Sequence, residues 1–404
     1  MERGDDPLVS TLFGGTFVSR PSRIAAFTAL VATVGALALV TPAAVASQPR
    51  VRRFHAGAAR YFTPRHTAAQ NAAITRAAAK APVPLFTKSI KDGTSNFTYT
   101  MVGKDPSVAQ ANPSTTITTV LVPLKIHFSD GNTWDPSAAN NCDTATALAR
   151  TQKSPVFVAQ AWKAGAAPLG TAQYVDAVQR AQYYTYTKPG AINPGYHVKL
   201  KLTTHAEVTV NVPLGSSAEE STAGCGNGLL GGVSFQWFDS YLQNTLIPTI
   251  PNATTVFPLF LVENVVWYDT IPTQCCILGW HNAYTPGGHF QSYGVADYDN
   301  SGAFTGSADV SALTHEVSEW MNDPNTVNPT KPWGHIGQQT GCQTNLETGD
   351  PLSGTVIQDK INGKTYNLQE LAFVSWFYHQ KPSTGVNGWY SSGGTFKKAA
   401  KACS

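Results

Sequence analysis

The residues best equipped for chemistry lie in one run, Asp309 to Pro324, which reads DVSALTHEVSEWMNDP. His315 and Glu319 are four apart, so a helix puts both on one side, about one turn from each other. Two donors on adjacent turns of a rigid element are what a metal ion needs. Glu316, next to His315, is then directed at a water held at the same point and can act as a base. This is the H-E-x-x-H logic of the zincins, with Glu in place of the second His. The exchange is chemically allowed, because a carboxylate oxygen binds zinc at about 2.0–2.2 Å, close to the distance for imidazole nitrogen. It also adds negative charge, which weakens the metal as a Lewis acid and widens the choice of metal.

A further ligand must come from outside the helix. Glu347 and Asp350, in the run NLETGDP, are the leading candidates, and His281 and His335 are alternatives. The donor for a developing oxyanion is open among Tyr366, Tyr378, His379 and His335. The competing reading of the same run is a surface helix with three polar residues on a solvated face.

The elements that must hold these residues can be read from periodicity. Asp309 suits an N-cap, and Val310, Leu313, Val317, Trp320 and Met321 fall on one apolar helix face. Thr116 to Phe128 is rich in β-branched residues and reads as a strand, followed by a turn at Ser129 to Asn132. Ser154 to Tyr184 carries apolar residues at helical spacing and reads as mostly helical. His197 to Val212 alternates as a half-buried strand or hairpin should. Gly224 to Gly232 is a glycine-rich loop without a phosphate-binding pattern. Ser234 to Leu246 reads as a helix ended by Pro248, Thr255 to Tyr268 as a central strand with a continuation, and Phe290 to Asp297 as a second strand. Strands of varied length interrupted by helices predict one α+β domain with a mixed sheet over residues 96–404, carrying a smaller C-terminal subdomain.

Bulk properties limit the function classes. Charged residues are only 13% of 404, while aromatics reach 10%, enough to build a core rather than a disordered chain. A net charge of +3 gives no argument for nucleic acid. That charge is uneven: Ser47 to Ile90 holds Arg50, Arg52, Arg53, Arg60, Arg65, Arg76, Lys80 and Lys88 and no acid. Residues 47–95 therefore read as a basic pro-segment or flexible arm. Before them, Arg20 and Arg23 precede an apolar run from Ile24 to Val40, then Thr41-Pro42 and Ala44-Val45-Ala46. Those are the parts of a signal peptide, expected to span residues 1–46 with cleavage after Ala46. A membrane contact is expected only through that segment, if it stays uncleaved. Six cysteines then imply disulfides of a secreted protein, with 15 connectivities open; adjacent Cys275 and Cys276 are expected to reach separate partners. No G-x-S-x-G occurs, which removes the usual serine-hydrolase signature.

The runs THEVSEWMNDP, Trp333-Gly334 and NLETGDPL together resemble a group of exported zincin-like proteins with an H-E-x-x-E helix and a short downstream acidic segment. The plant exordium (phosphate-induced) proteins look like distant relatives. Cys275-Cys276-Ile-Leu-Gly-Trp-His281 and the run Gly170 to Arg180 add to the likeness, while Asn325 to Gly341 is longer than its pattern. The resemblance implies a zincin-like fold and a secreted metallopeptidase. One Zn2+ would be held by His315, Glu319 and either Glu347 or Asp350, with Glu316 as general base. The substrate would be a peptide or a cell-surface or cell-wall polymer. A non-catalytic wall- or surface-binding protein that keeps the fold is the alternative. Oligomeric state carries no sequence signal.

Overall fold

The computed structural model describes residues 51–143 and 145–403, and among these the β-branched run Thr115–Phe128 forms the longest strand. The expected signal peptide lies outside the described residues. The length of this strand lets several partners share it. Val198–Thr204 and Val208–Val212 run parallel to it one after the other, with a break at His205–Glu207. The run from His197 is thus two strands on one neighbour and not a hairpin. Phe257–Glu263 lies parallel on its other side, followed by Gln291–Tyr298, parallel, and Gly279–Tyr284, antiparallel at the edge. With Thr133–Trp134 these make a seven-stranded mixed sheet, so the protein is of the α+β class.

Side-chain alternation gives the sheet two apolar faces. Leu121, Leu259, Leu261 and Ala296 pack with Leu313, Val317 and Trp320 of the helix Ser311–Asn322. Val122, Phe260, Val262 and Val295 pack on the other face with Phe235, Phe238 and Leu242. The apolar run from Thr255 divides at Asn264, which has a positive φ of 54°. Its second half, Val265–Tyr268, joins a four-stranded sheet with Leu229–Ser234, Ser217–Ser221 and Arg52–Arg53.

Several sequence expectations are corrected. Ser154 to Tyr184 is mostly not helical: Gln160–Ala164 and Ala167–Ala172 form a hairpin turning at Gly165, φ 59°, and only Tyr174–Gln182 is the expected long helix. The two strands are five and six residues long, too short to separate a period of two from one of 3.6. Asp309 does not cap the site helix. Its own φ is 44°, and its carboxylate instead receives the Asn367 backbone and side-chain N–H groups at 3.0 and 2.6 Å. The hairpin Leu85–Asp92/Ser95–Val102 straddles the 95–96 boundary, and Val51, Phe54, Tyr61 and Ile74 upstream of it are buried. Residues beyond Asn325 form two further hairpins inside the same compact unit, so the C-terminal subdomain is not set apart.

The cysteines pair as Cys142–Cys225, Cys275–Cys276 and Cys342–Cys403. The adjacent pair bonds to itself, against expectation: its peptide bond is cis, which brings the two Cα atoms to 3.1 Å and closes the small ring. Disulfides are compatible with a protein that works outside the cytoplasm. Among the described residues no helix is long and apolar enough to cross a membrane.

Candidate metal centre

All twelve residues of the site helix, Ser311 to Asn322, are buried. Its apolar stripe meets the large sheet, where the Trp320 ring stacks on Phe257 at 3.7 Å and its Nε1–H donates to Ser292 Oγ. Its polar side is not solvated, which removes the surface-helix reading: His315 and Glu316 are 0% exposed and Glu319 3%. That side faces His281 on the edge strand Gly279–Tyr284 and the loop that carries Glu347 and Asp350.

His315 Nε2 lies 3.1 Å from Glu319 Oε1 and 3.5 Å from Asp350 Oδ1. The state of its ring follows from its other nitrogen. Gln369 donates its amide N–H to the Gly349 carbonyl, so its Oε1, 3.0 Å from His315 Nδ1, must accept. Nδ1 therefore carries the proton, and Nε2 presents a lone pair. That lone pair converges with two carboxylate oxygens, and Nε2 has no hydrogen-bond partner. Three electron-rich atoms facing one another repel unless a cation lies between them.

A second group shares Glu319. His281 Nε2 sits 3.0 Å from the Asp323 carbonyl and must donate to it. Its Nδ1 lone pair then faces Glu316 Oε2 at 3.5 Å and Glu319 Oε2 at 3.7 Å. Both Glu316 oxygens are buried without a hydrogen-bond partner. The ligand atoms of His281, Glu316 and Glu319, and those of His315, Glu319 and Asp350, each lie within 4.8 Å of one another.

The remaining sequence candidates fall in different places. Glu347 is buried beside the cluster, where it accepts from Thr63 and Asn345, and its Oε2 has no partner. It does not join either convergent group. His335 is exposed and lies 3.9 Å from Cys342 Sγ, whose sulfur is already in a disulfide. Tyr366 donates to the Arg150 carbonyl, Tyr378 to the Pro329 carbonyl, and His379 pairs with Asp92, so none of these, nor His335, the fourth oxyanion candidate, joins the cluster.

Surroundings fix the geometry. Asp350 is held by the side-chain amides of Gln338, Gln339 and Gln343, all from the hairpin Pro329–Ile336/Gln339–Asn345 and its turn. Glu319 Oε1 accepts the Gly349 and Asp350 backbone N–H groups at 2.9 and 3.3 Å. Two glycines allow the close approach. A Cβ on Gly349 would lie 2.3 Å from His315 Nδ1, and one on Gly279 would lie 2.8 Å from Glu316 Cγ. Tyr61 covers the group, its ring stacked on His315 at 3.5 Å. Sequence reasoning misses Gln369, Tyr61 and the three glutamines, because they reach the site through long-range packing and no local spacing marks them.

Burial dominates the electrostatics. It lowers the pKa of His315 to about 4 and of His281 to about 3, so both rings are neutral and fit to be ligands. Burial first, and neighbouring carboxylates second, push Glu316, Glu319 and Glu347 well above the usual carboxylate range. Asp350 is also raised by burial, against the pull of His315. Histidine is the only basic side chain that pairs with this cluster among the described residues. The donor set, neutral imidazole plus carboxylate oxygen, suits a zinc-like divalent ion. No protein-family model, curated protein or solved structure matches the chain.

Proposed function

We propose that the protein is a secreted, zinc-dependent hydrolase of peptide bonds with a zincin-like site. The observation that carries this reading is the His315 Nε2 lone pair, which meets Glu319 Oε1 and Asp350 Oδ1 in a buried space with no cationic side chain among the described residues. His315, Glu319 and Asp350 would hold the ion. Bound there, zinc would supply Lewis-acid polarisation of the scissile carbonyl and of water. Glu316 takes the proton of the attacking water and returns it to the leaving amine as the C–N bond breaks. Burial raises the Glu316 carboxyl well above the usual carboxylate range, which makes it a stronger base when ionised. Gln369 keeps the His315 proton on Nδ1, and the three glutamines hold Asp350 in register. The exordium-like resemblance agrees with an exported protein of this kind.

The second reading is a non-catalytic cell-surface or wall-binding protein that keeps the fold and the ion. It is favoured by the cover over the site: Tyr61 is only 5% exposed and lies flat on His315.

Elemental analysis of the purified chain, beside a His315→Ala/Glu319→Ala double variant, tests the centre. About one zinc per chain, lost in the double variant, is the expected result. Absence of metal from both after incubation with zinc would remove the hydrolase. With zinc present, hydrolysis that depends on Glu316 separates the first reading from the second.

A further inference from the structure

Residues Phe54 to Pro64 cross the metal centre in a manner unlike the rest of the fold. Arg60 donates its backbone N–H to the Cys276 carbonyl at 3.0 Å, and its own carbonyl accepts from the Leu278 N–H at 2.9 Å. One isolated parallel bridge, Arg60 to Ile277, results. At Tyr61 the side-chain amide of Gln338 replaces a strand: Oε1 accepts the Tyr61 N–H at 2.6 Å and Nε2 donates to the Tyr61 carbonyl at 3.1 Å. Both peptide groups of this dipeptide are therefore gripped through the backbone, a mode indifferent to sequence and usual for capture of extended chains. Side chains supply the rest. The Tyr61 ring lies on His315, Phe62 packs against Phe235 at 4.5 Å, and Thr63 donates to Glu347 at 3.0 Å.

The path stays open at both ends. A cavity of about 400 Å³ is lined by Gly57, Ala58 and Ala59 together with Ser307 and Gln338. Another, of about 530 Å³, is lined by Pro64, Arg65 and His66 together with Phe235 and Asp239. The segment thus lies in a groove with a cavity on either side of the point where it covers the metal centre. Within the segment, His55 Nδ1 lies 3.5 Å from Glu220 Oε1, outside the centre.

We infer that this groove is a binding cleft for an extended polypeptide bearing an aromatic side chain over His315, and that the chain's own residues 54–64 occupy it as an internal, competing ligand. The inference rests on the metallopeptidase reading for what the cleft is used for, but not for the binding itself. Segment 54–64 shields His315 from any other chain until it is displaced or cut. The aromatic ring at Tyr61 is the specificity contact, and the Gln338 amide is the backbone clamp.

The test is binding of a fluorescently labelled synthetic copy of residues 54–64, read by anisotropy against the full native chain and against Tyr61→Ala and Phe62→Ala chains. Both variants loosen the internal copy, so each should bind the added peptide at least tenfold tighter than the native chain, a gap of the size one aromatic contact supplies. A peptide with Ala at the Tyr61 position should bind the Tyr61→Ala chain about tenfold more weakly than the parent peptide. Trypsin should cut after Arg60 and Arg65 roughly tenfold faster in both variants than in the native chain, as a released segment requires. Equal peptide binding by native and variant chains, or none by either variant, overturns the inference. So does loss of the cooperative thermal transition in both variants, which would make the segment an inseparable part of the core. Zinc content, measured in the same samples, reports on the metal centre independently. One zinc per chain without peptide binding sinks only the cleft, and peptide binding without zinc sinks only the hydrolase.

Discussion

Two acidic centres lie within this fold, one half-buried and one fully buried, and they are built on opposite plans. Asp239 on the helix Phe235–Tyr241 is surrounded by donors: Tyr293 Oη–H, Trp280 Nε1–H at 3.1 Å, Asn282 Nδ2–H at 3.3 Å and Gln243 Nε2–H at 2.8 Å. Burial raises its pKa, and those donors pull it back down. Glu370 likewise accepts hydrogen bonds from Ser391, Gly393 and Thr395. Two acids of the metal centre are treated the other way. Glu316 has no donor on either oxygen, and Glu347 has none on Oε2. The protein plainly has the means to neutralise a buried carboxylate with hydrogen bonds. Where it leaves acids facing histidine lone pairs instead, the missing partner is a cation or a proton.

That contrast gives predictions of decreasing size. Glu316→Gln should lower hydrolysis of an unfolded protein substrate by about 10²–10⁴-fold, the usual worth of a general base, while zinc content stays at one per chain. An unchanged rate would show that Glu316 acts as a ligand or as filler rather than as the base. Removing the ion with a chelator should cost on the order of 3 kcal/mol of stability, the linkage expected for free zinc at a hundred times its dissociation constant. Thermal unfolding checks this. The native chain should lose several degrees, and the His315→Ala/Glu319→Ala chain should lose none.

The donor-rich centre should behave differently. Asp239→Ala orphans four donors, so it should cost about 2–3 kcal/mol by urea unfolding and leave zinc content untouched. Loss of zinc in that variant would mean that the two centres are coupled and the contrast false. Asp309 supplies the smallest effect. Burial raises its pKa from 3.8 to about 6, against donors from Val310 and Asn367. A carboxyl raised on folding favours the native state fully below its unfolded pKa, and that favour is lost as pH rises through about 6. Stability measured at pH 8 should therefore fall short of that at pH 5 by roughly 1–2 kcal/mol from this group, and Asp309→Asn should shrink the gap.

The part of the centre that lies on one element is legible in the sequence. The four-residue spacing of His315 and Glu319 is a local property, and a helix turns it directly into proximity. The long strand Thr115–Phe128 is legible for the same reason, because its β-branched run is self-contained. Legibility ends where sequence distance begins. His281 stands only among the alternatives, since nothing in its own run shows that the Gly279–Tyr284 strand forms the sheet edge beside the site helix. Tyr61 lies in a stretch that signals only its charge, although its ring is what touches His315. Gln369 is an ordinary strand residue until the chain folds its amide against Nδ1. The hairpin Gln160–Ala172 defeats the periodicity argument because short strands sample too few residues to separate a period of two from one of 3.6.

The complete burial of the site helix bears on how the sequence can drift. An exposed helix tolerates change on its outer face, so its map of permitted substitutions repeats with the helical turn. Ala68–Ala78, where only Ile74 and Ala78 are buried, should give such a striped map under saturation mutagenesis. Ser311–Asn322 has no outer face to relax. Its map should be a continuous band of intolerance twelve residues long, with small polar positions such as Ser311 and Ser318 refusing enlargement as firmly as His315 refuses replacement.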